Sequence, residues 1–149
     1  IWEAALAASQ QKLDNLIVVV DYNKVMAKGF LYEEIGLYPL DKKFEAFGWD
    51  VIKADGHDLQ DLHRAFYSAH YLGKEGRPIC IIAHTVKGRG VEQCEFNYKW
   101  HTHAPSKEKA NEFLSILARN YNGPALAIEG IPKSQDQGLS DAVGGDIEE

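Results

Sequence analysis

The sequence is 149 residues long, enough for one domain with a sizeable core, and its 45% apolar and 26% charged residues are ordinary for a globular chain. Its formal charge of -6 argues against a duplex-DNA or RNA binder, which gathers Lys and Arg on one face to meet phosphates; a small anionic ligand stays open. Cys80 lies in an apolar run and Cys94 in a loop, without C-x-x-C or Cys/His metal spacing, so neither a disulfide framework nor a zinc site is read, and the two unpaired thiols fit a reducing cytoplasm.

The first residues, IWEAALAASQQKL, place Trp2, Ala5, Leu6 and Leu13 at helical spacing, and the run LIVVV, Leu16 to Val20, follows as a buried strand. Because Ile1 already stands inside a helical pattern, the natural beginning is expected to lie outside this chain, in a missing segment or on another chain. Leu40, Phe44 and Phe47 predict a second helix closed by Gly48, and WDVIKA a short second strand. Asp58 is a candidate N-cap for a helix carrying Leu59, Leu62, Phe66 and Ala69 on one face, with Asp61 near the positive end of its dipole. ICIIA, Ile79 to Ala83, has the continuous apolar character of a strand covered on both faces. Ser106 is a candidate cap for a last helix with Phe113, Leu114 and Leu117 inward.

This alternation of helix and strand predicts an α/β fold with a parallel sheet flanked by helices. From Asn122 the periodicity stops, and Pro124, Pro132 and several glycines predict a tail or linker over 122–149 that needs a partner to become ordered. No run approaches the about 18 apolar residues of a membrane span, and no signal-peptide pattern is read. No membrane partner is expected.

In open parallel sheets ligands bind beyond the carboxyl ends of the strands. Each predicted strand here runs into polar residues: Asp21-Tyr22-Asn23-Lys24, Asp55-Gly56-His57-Asp58, and His84-Thr85-Val86-Lys87-Gly88. Asn and Asp in such places also serve as turn formers and helix caps; three endings on one edge favour a site. Asn23 offers a neutral oxygen that can complete the shell of Mg²⁺ without overcharging a site that also holds phosphates. Lys87, beside Gly88 and Gly90, either pairs with a diphosphate approached closely by backbone or is a solvated loop lysine. His101, after Trp100, can donate to an anion or move a proton near neutral pH, though loop histidines are also structural.

Taken together these stretches resemble the thiamine-diphosphate enzymes of the transketolase family, in the second half of the diphosphate-binding domain. IWEAALAASQQKLDNLIVVVDYNK is similar to the segment after that family's Gly-Asp-Gly signature, and ADGHD, AHTVKGRG and KWHTHAP follow in family order, over Ile1 to Tyr121. The resemblance implies a thiamine-diphosphate-binding fold, in its C-terminal half, over 1–121, and a Mg²⁺ bound by the Asn23 side chain and the Val25 backbone carbonyl. It implies that Lys87 contacts the cofactor, that His101 lies between diphosphate and substrate, and that Glu3 belongs to a carboxylate cluster at a dimer interface.

The implied activity is transfer of a two-carbon ketol unit between sugar phosphates, with His101 steadying the substrate oxygen during bond cleavage. The Gly-Asp-Gly segment and the pyrimidine-binding domain are not in this chain, so a partner chain or further segments, in a homo- or hetero-oligomer, are expected to supply them. Trp100-His101-Thr102-His103 departs from the Trp-His-Gly-Lys of many relatives, and Ala27 stands where a larger apolar residue packs near the thiazolium. Both departures bear on acceptor choice. The alternatives are a deoxyxylulose-phosphate synthase-like enzyme or a transketolase for unusual sugars, and a non-catalytic subunit completing an assembly. A nicotinamide dehydrogenase is disfavoured because no G-x-G-x-x-G follows a strand.

Overall fold

The run Ile79–Ala83 is apolar at every position and so has no face to show to water; it becomes the middle of the sheet. The computed structural model describes residues 1–72 and 75–120. Its elements are α1 (Trp2–Gln10), β1 (Ile17–Tyr22), α2 (Leu31–Glu34), α3 (Leu40–Ala46), β2 (Asp50–Asp55), α4 (Leu59–Leu72), β3 (Ile79–His84), a 3-10 helix (Tyr98–His101) and α5 (Lys107–Asn120). The expected tail, 122–149, lies outside the described residues.

The sheet has the order β1-β3-β2 and is parallel throughout. Cys80 and Ile82 point into a cluster with Ala5 and Ala8 of α1, Leu40 and Phe44 of α3, and Trp49. Ile79 and Ile81 point the other way, onto Ala54 and onto Ala65 and Ala69 of α4. Alternation along one strand thus serves two helical layers. Removing Ile79 and Ile81 entirely from water contributes about 1.5–3 kcal/mol each. The indole Nε1 of Trp49 donates to the Ala5 carbonyl at 2.9 Å, tying α1 to the start of β2 through a buried hydrogen bond. Burial pushes the Cys80 thiol up to about 12, which makes it an inert packing group.

The predicted elements are present, with differences in which faces they bury. On α4 the inward stripe is Leu62, Ala65 and Ala69, while Leu59 is 82% exposed and Phe66 46% exposed. Small residues let the helix lie close on the sheet, and this tilts the stripe away from the bulkier Leu59 and Phe66. On α5 only Phe113 is buried; Leu114 and Leu117 are 63% and 42% exposed, because this helix packs on the loop after β3 and not on the sheet. The short α2 and the 3-10 helix carry no periodicity long enough to read. Gly48 closes α3 at φ +84°, and a Cβ there would lie 2.6 Å from Ser9 Oγ, so both backbone and space call for glycine.

Candidate functional site

Register fixes where the polar strand ends fall. Tyr22, His84 and Asp55 are aligned across the sheet, so the three polar endings share its carboxyl edge as the sequence predicts. Each ending is tied to its neighbour. Gly56 N–H donates to the His84 carbonyl at 2.8 Å, and Thr85 N–H to the Tyr22 carbonyl at 3.4 Å. A cavity of about 540 Å³ opens over this edge, bounded by Lys24, Lys53, Asp55, His57, His84 and Arg89 among others.

The turn between β2 and α4 is built from carboxylates. Asp55 Oδ1 accepts from His57 N–H at 2.9 Å, and Asp58 Oδ1 accepts from Gln60 N–H at 2.8 Å, the expected cap. Asp61 reaches back: it accepts from Asp55 N–H at 2.7 Å and from Arg64 at 3.1 Å, and these donors hold its carboxyl below the usual carboxylate value. His57 Nε2 accepts the Val86 N–H at 2.7 Å, which places the ring proton on Nδ1 and pins the loop after β3 to this turn.

That loop is a closed lobe. It leaves the sheet at Thr85 and folds back so that Phe96 N–H meets the Lys87 carbonyl at 3.0 Å, and the 3-10 helix bearing His101 starts just beyond. Gly88 and Gly90 take φ of +78° and +96°. A Cβ on Gly88 would overlap the Cys94 carbonyl, and one on Gly90 would lie 2.8 Å from Leu117 Cδ2. Their missing side chains make room for the lobe and α5, a packing role beside the close backbone approach expected of them. Trp100 meets Phe113 edge-on at 5.4 Å and holds the lobe against α5. Glu95 Oε1 accepts from Gly90 N–H at 3.1 Å and stands 4.0 Å from Arg89. Lys87, by contrast, is half-buried and makes no ion pair among the described residues. A lysine held in place by its backbone but left without a carboxylate can receive an anion.

Asn23 sits at the end of β1 with both ends of its amide engaged. Its Oδ1 accepts the Val25 N–H at 3.0 Å, and its Nδ2 donates to Asp21 at 3.3 Å. Val25 pairs with Phe30 as an isolated antiparallel bridge whose bonds run from Leu31 N–H to Lys24 O and from Met26 N–H to Gly29 O. The Val25 carbonyl is therefore not consumed by the bridge. Among the described residues no three of His, Cys, Asp and Glu converge to hold a metal. The oxygens present, an amide and a backbone carbonyl with a spare lone pair, suit a hard cation such as Mg²⁺ whose charge is met mainly by a phosphate group.

His101 is exposed, makes no side-chain hydrogen bond among the described residues and does not line the strand-end cavity; neither do Asn23 and Lys87 themselves. Their neighbours Lys24, Val86 and Arg89 do. His103 Nδ1 donates to the Lys99 carbonyl at 2.9 Å, which orients the ring and leaves Nε2 outward. Ala27 and Glu3 are both exposed. Sequence reasoning did not single out Asp21, Thr85 and His57 as site residues; a carboxylate two positions before Asn23, at the strand end, was the available signal for Asp21.

A parallel α/β sheet with its polar turns gathered at the carboxyl edge is the architecture of a cofactor-binding domain. The chain belongs to the transketolase thiamine-diphosphate-binding family: residues 2–121 match the family described as "Transketolase, thiamine diphosphate binding domain". It is similar to an apulose-4-phosphate transketolase subunit of Phocaeicola vulgatus, 39% identical over 112 residues, covering 75% of this chain and 39% of the relative. The protein of the same name from Actinobacillus succinogenes is 40% identical over 116 residues, covering 78% and 41%. Among solved structures, transketolase from Campylobacter jejuni superposes with a TM-score of 0.60 at 31% identity, over 66% of this chain and 15% of that one. The chain thus spans about two fifths of the length of the curated relatives it matches.

Proposed function

We propose that this chain is the diphosphate- and metal-binding part of a transketolase-type enzyme that transfers a two-carbon ketol unit between sugar phosphates. The observation that carries the proposal is the Asn23 amide, fixed at the end of β1 with a lone pair of Oδ1 left over beside an uncommitted Val25 carbonyl. Asn23 and Val25 would hold a divalent cation, and Lys87 would neutralise the diphosphate bridged by it. When bound, thiamine diphosphate supplies the electron sink for breaking and re-forming the carbon–carbon bond. His101 donates to and accepts from the substrate oxygen, holding the proton that moves as that oxygen changes charge.

Partner and compartment follow from the same proposal. Relatives carrying the word "subunit" in their names support a hetero-oligomer in which another chain brings the pyrimidine-binding domain and the Gly-Asp-Gly segment. Glu3, exposed on the first turn of α1, would join a carboxylate cluster at that interface. Among the described residues no helix is long and apolar enough to cross a membrane, and a cytoplasmic enzyme acting on phosphorylated sugars accords with that. A second possibility, an unusual sugar as substrate, is favoured by the two apulose-4-phosphate relatives and by His103 in place of lysine.

Metal removal tests the proposal. In the assembled enzyme, chelating the divalent cation should abolish ketol transfer, and added Mg²⁺ should restore it. Turnover that persists in chelator with no thiamine diphosphate present would remove the assignment.

A further inference from the structure

The Asn23 amide can serve a cation only if its oxygen, not its nitrogen, faces the site. Its two protein neighbours decide this between them. On one side stands the Asp21 carboxylate, which only accepts, and on the other the Val25 N–H, which only donates. One orientation satisfies both: Nδ2 toward Asp21 at 3.3 Å and Oδ1 toward Val25 N at 3.0 Å. The flipped amide would set N–H against N–H at Val25 and oxygen against oxygen at Asp21.

We infer that Asp21 is a positioning residue that sets the polarity of the Asn23 amide, and with it the donor that this chain presents to the metal. The inference rests on Asn23 being a metal donor, as proposed above. Asp21 lies in the last pair of β1 and Asn23 is the first residue beyond it, where the chain turns through Lys24 at φ +65° and the Val25 N–H closes onto the Asn23 oxygen. Asp21 is in turn held from the far side, where its Oδ1 accepts the Thr85 hydroxyl from the residue that follows β3. The carboxylate is thus held by Thr85, just after β3, and holds Asn23, just after β1. Neither the core nor the strand-end cavity uses Asp21.

The effect should appear in metal affinity and not in the chemistry of the loaded enzyme. With a leucine at this position the acceptor is gone, and the amide orientation is left to the Val25 N–H alone, with water, which can donate or accept, in place of the carboxylate. With an asparagine, the side-chain oxygen still accepts from Asn23 Nδ2 while its NH₂ group donates to the Thr85 hydroxyl oxygen. Shape and polarity are kept while the charge is lost.

The test is a calorimetric titration of Mg²⁺, at fixed thiamine diphosphate, into the full protein with its partner chain. Asp21→Leu should weaken Mg²⁺ binding by about 10–100-fold, as loss of a partner that orients a metal ligand does. Turnover at saturating Mg²⁺ should stay near that of the unaltered protein. Asp21→Asn should recover most of the lost affinity. Unchanged affinity in Asp21→Leu would overturn the inference, and so would an equal loss in Asp21→Asn, which would mean that charge alone matters. Thermal unfolding checks the fold; if Asp21→Leu fails it, Asp21→Ala replaces it with the same expectation. Asn23→Ala in the same titration separates the two levels. If its Mg²⁺ requirement matches the unaltered protein, the metal role of Asn23 falls; if it loses affinity while Asp21→Leu does not, only the role of Asp21 falls.

Discussion

Asn23→Ala is expected to weaken Mg²⁺-dependent binding of thiamine diphosphate by about 100-fold or more, beyond the 10–100-fold typical for losing a residue that merely orients a ligand. The truncation removes the side-chain oxygen and leaves the Val25 N–H, formerly bonded to Oδ1, to water. Asn23 is half-buried and belongs to neither core cluster, so the fold should lose only about 1 kcal/mol, the value of one neutral hydrogen bond. A large loss of cofactor affinity with a small change in melting temperature is therefore the expected signature. Isothermal titration and a thermal melt of the same preparation measure the two. An unchanged cofactor affinity would mean that the cation, if one binds, is held without Asn23.

His101→Ala is expected to lower turnover by about 10²–10⁴-fold, the range contributed by a positioned proton carrier, while changing cofactor affinity far less. The substitution is structurally clean. His101 is exposed on the 3-10 helix and has no side-chain hydrogen bond among the described residues, so its removal should cost the fold less than about 0.5 kcal/mol. The Trp100–Phe113 contact that holds the lobe in place does not involve it. Steady-state kinetics with saturating cofactor would show the loss in kcat. Unaltered turnover would leave His101 a surface residue of the lobe.

The features that could be read from sequence are those set by neighbours along the chain. ICIIA is apolar at each position, and only the centre of a sheet accommodates that, so β3 and its flanking layers followed directly. Asp58 and Ser106 announced their helices because capping is a local matter of one side chain and the next few N–H groups. Placing the three polar strand ends on one edge needed only the parallel topology that alternation predicts.

What was missed depends on partners distant in sequence. Thr85 bonds Asp21 and Val86 bonds His57, and both pairs exist only once register has aligned β1, β3 and β2. The packing role of the lobe's glycines was hidden for a similar reason. Positive φ at Gly88 and Gly90 was legible as backbone freedom, but its use, clearing Cys94 and Leu117, is settled by how the lobe closes and where α5 packs. Leu59, Phe66, Leu114 and Leu117 were assigned inward from spacing alone; the close approach of α4 through Ala65 and Ala69, and the docking of α5 on a loop, decided otherwise.

The central claim is that this chain contributes the cation-bridged diphosphate site of a thiamine-diphosphate enzyme. Calorimetric titration of thiamine diphosphate against this chain, alone and mixed with candidate partner chains, with and without Mg²⁺, tests it most directly. The account predicts saturable binding that requires Mg²⁺ and appears when the chain and its partner are together. Absence of binding in every mixture, with all partners demonstrably present and Mg²⁺ in excess, would contradict it.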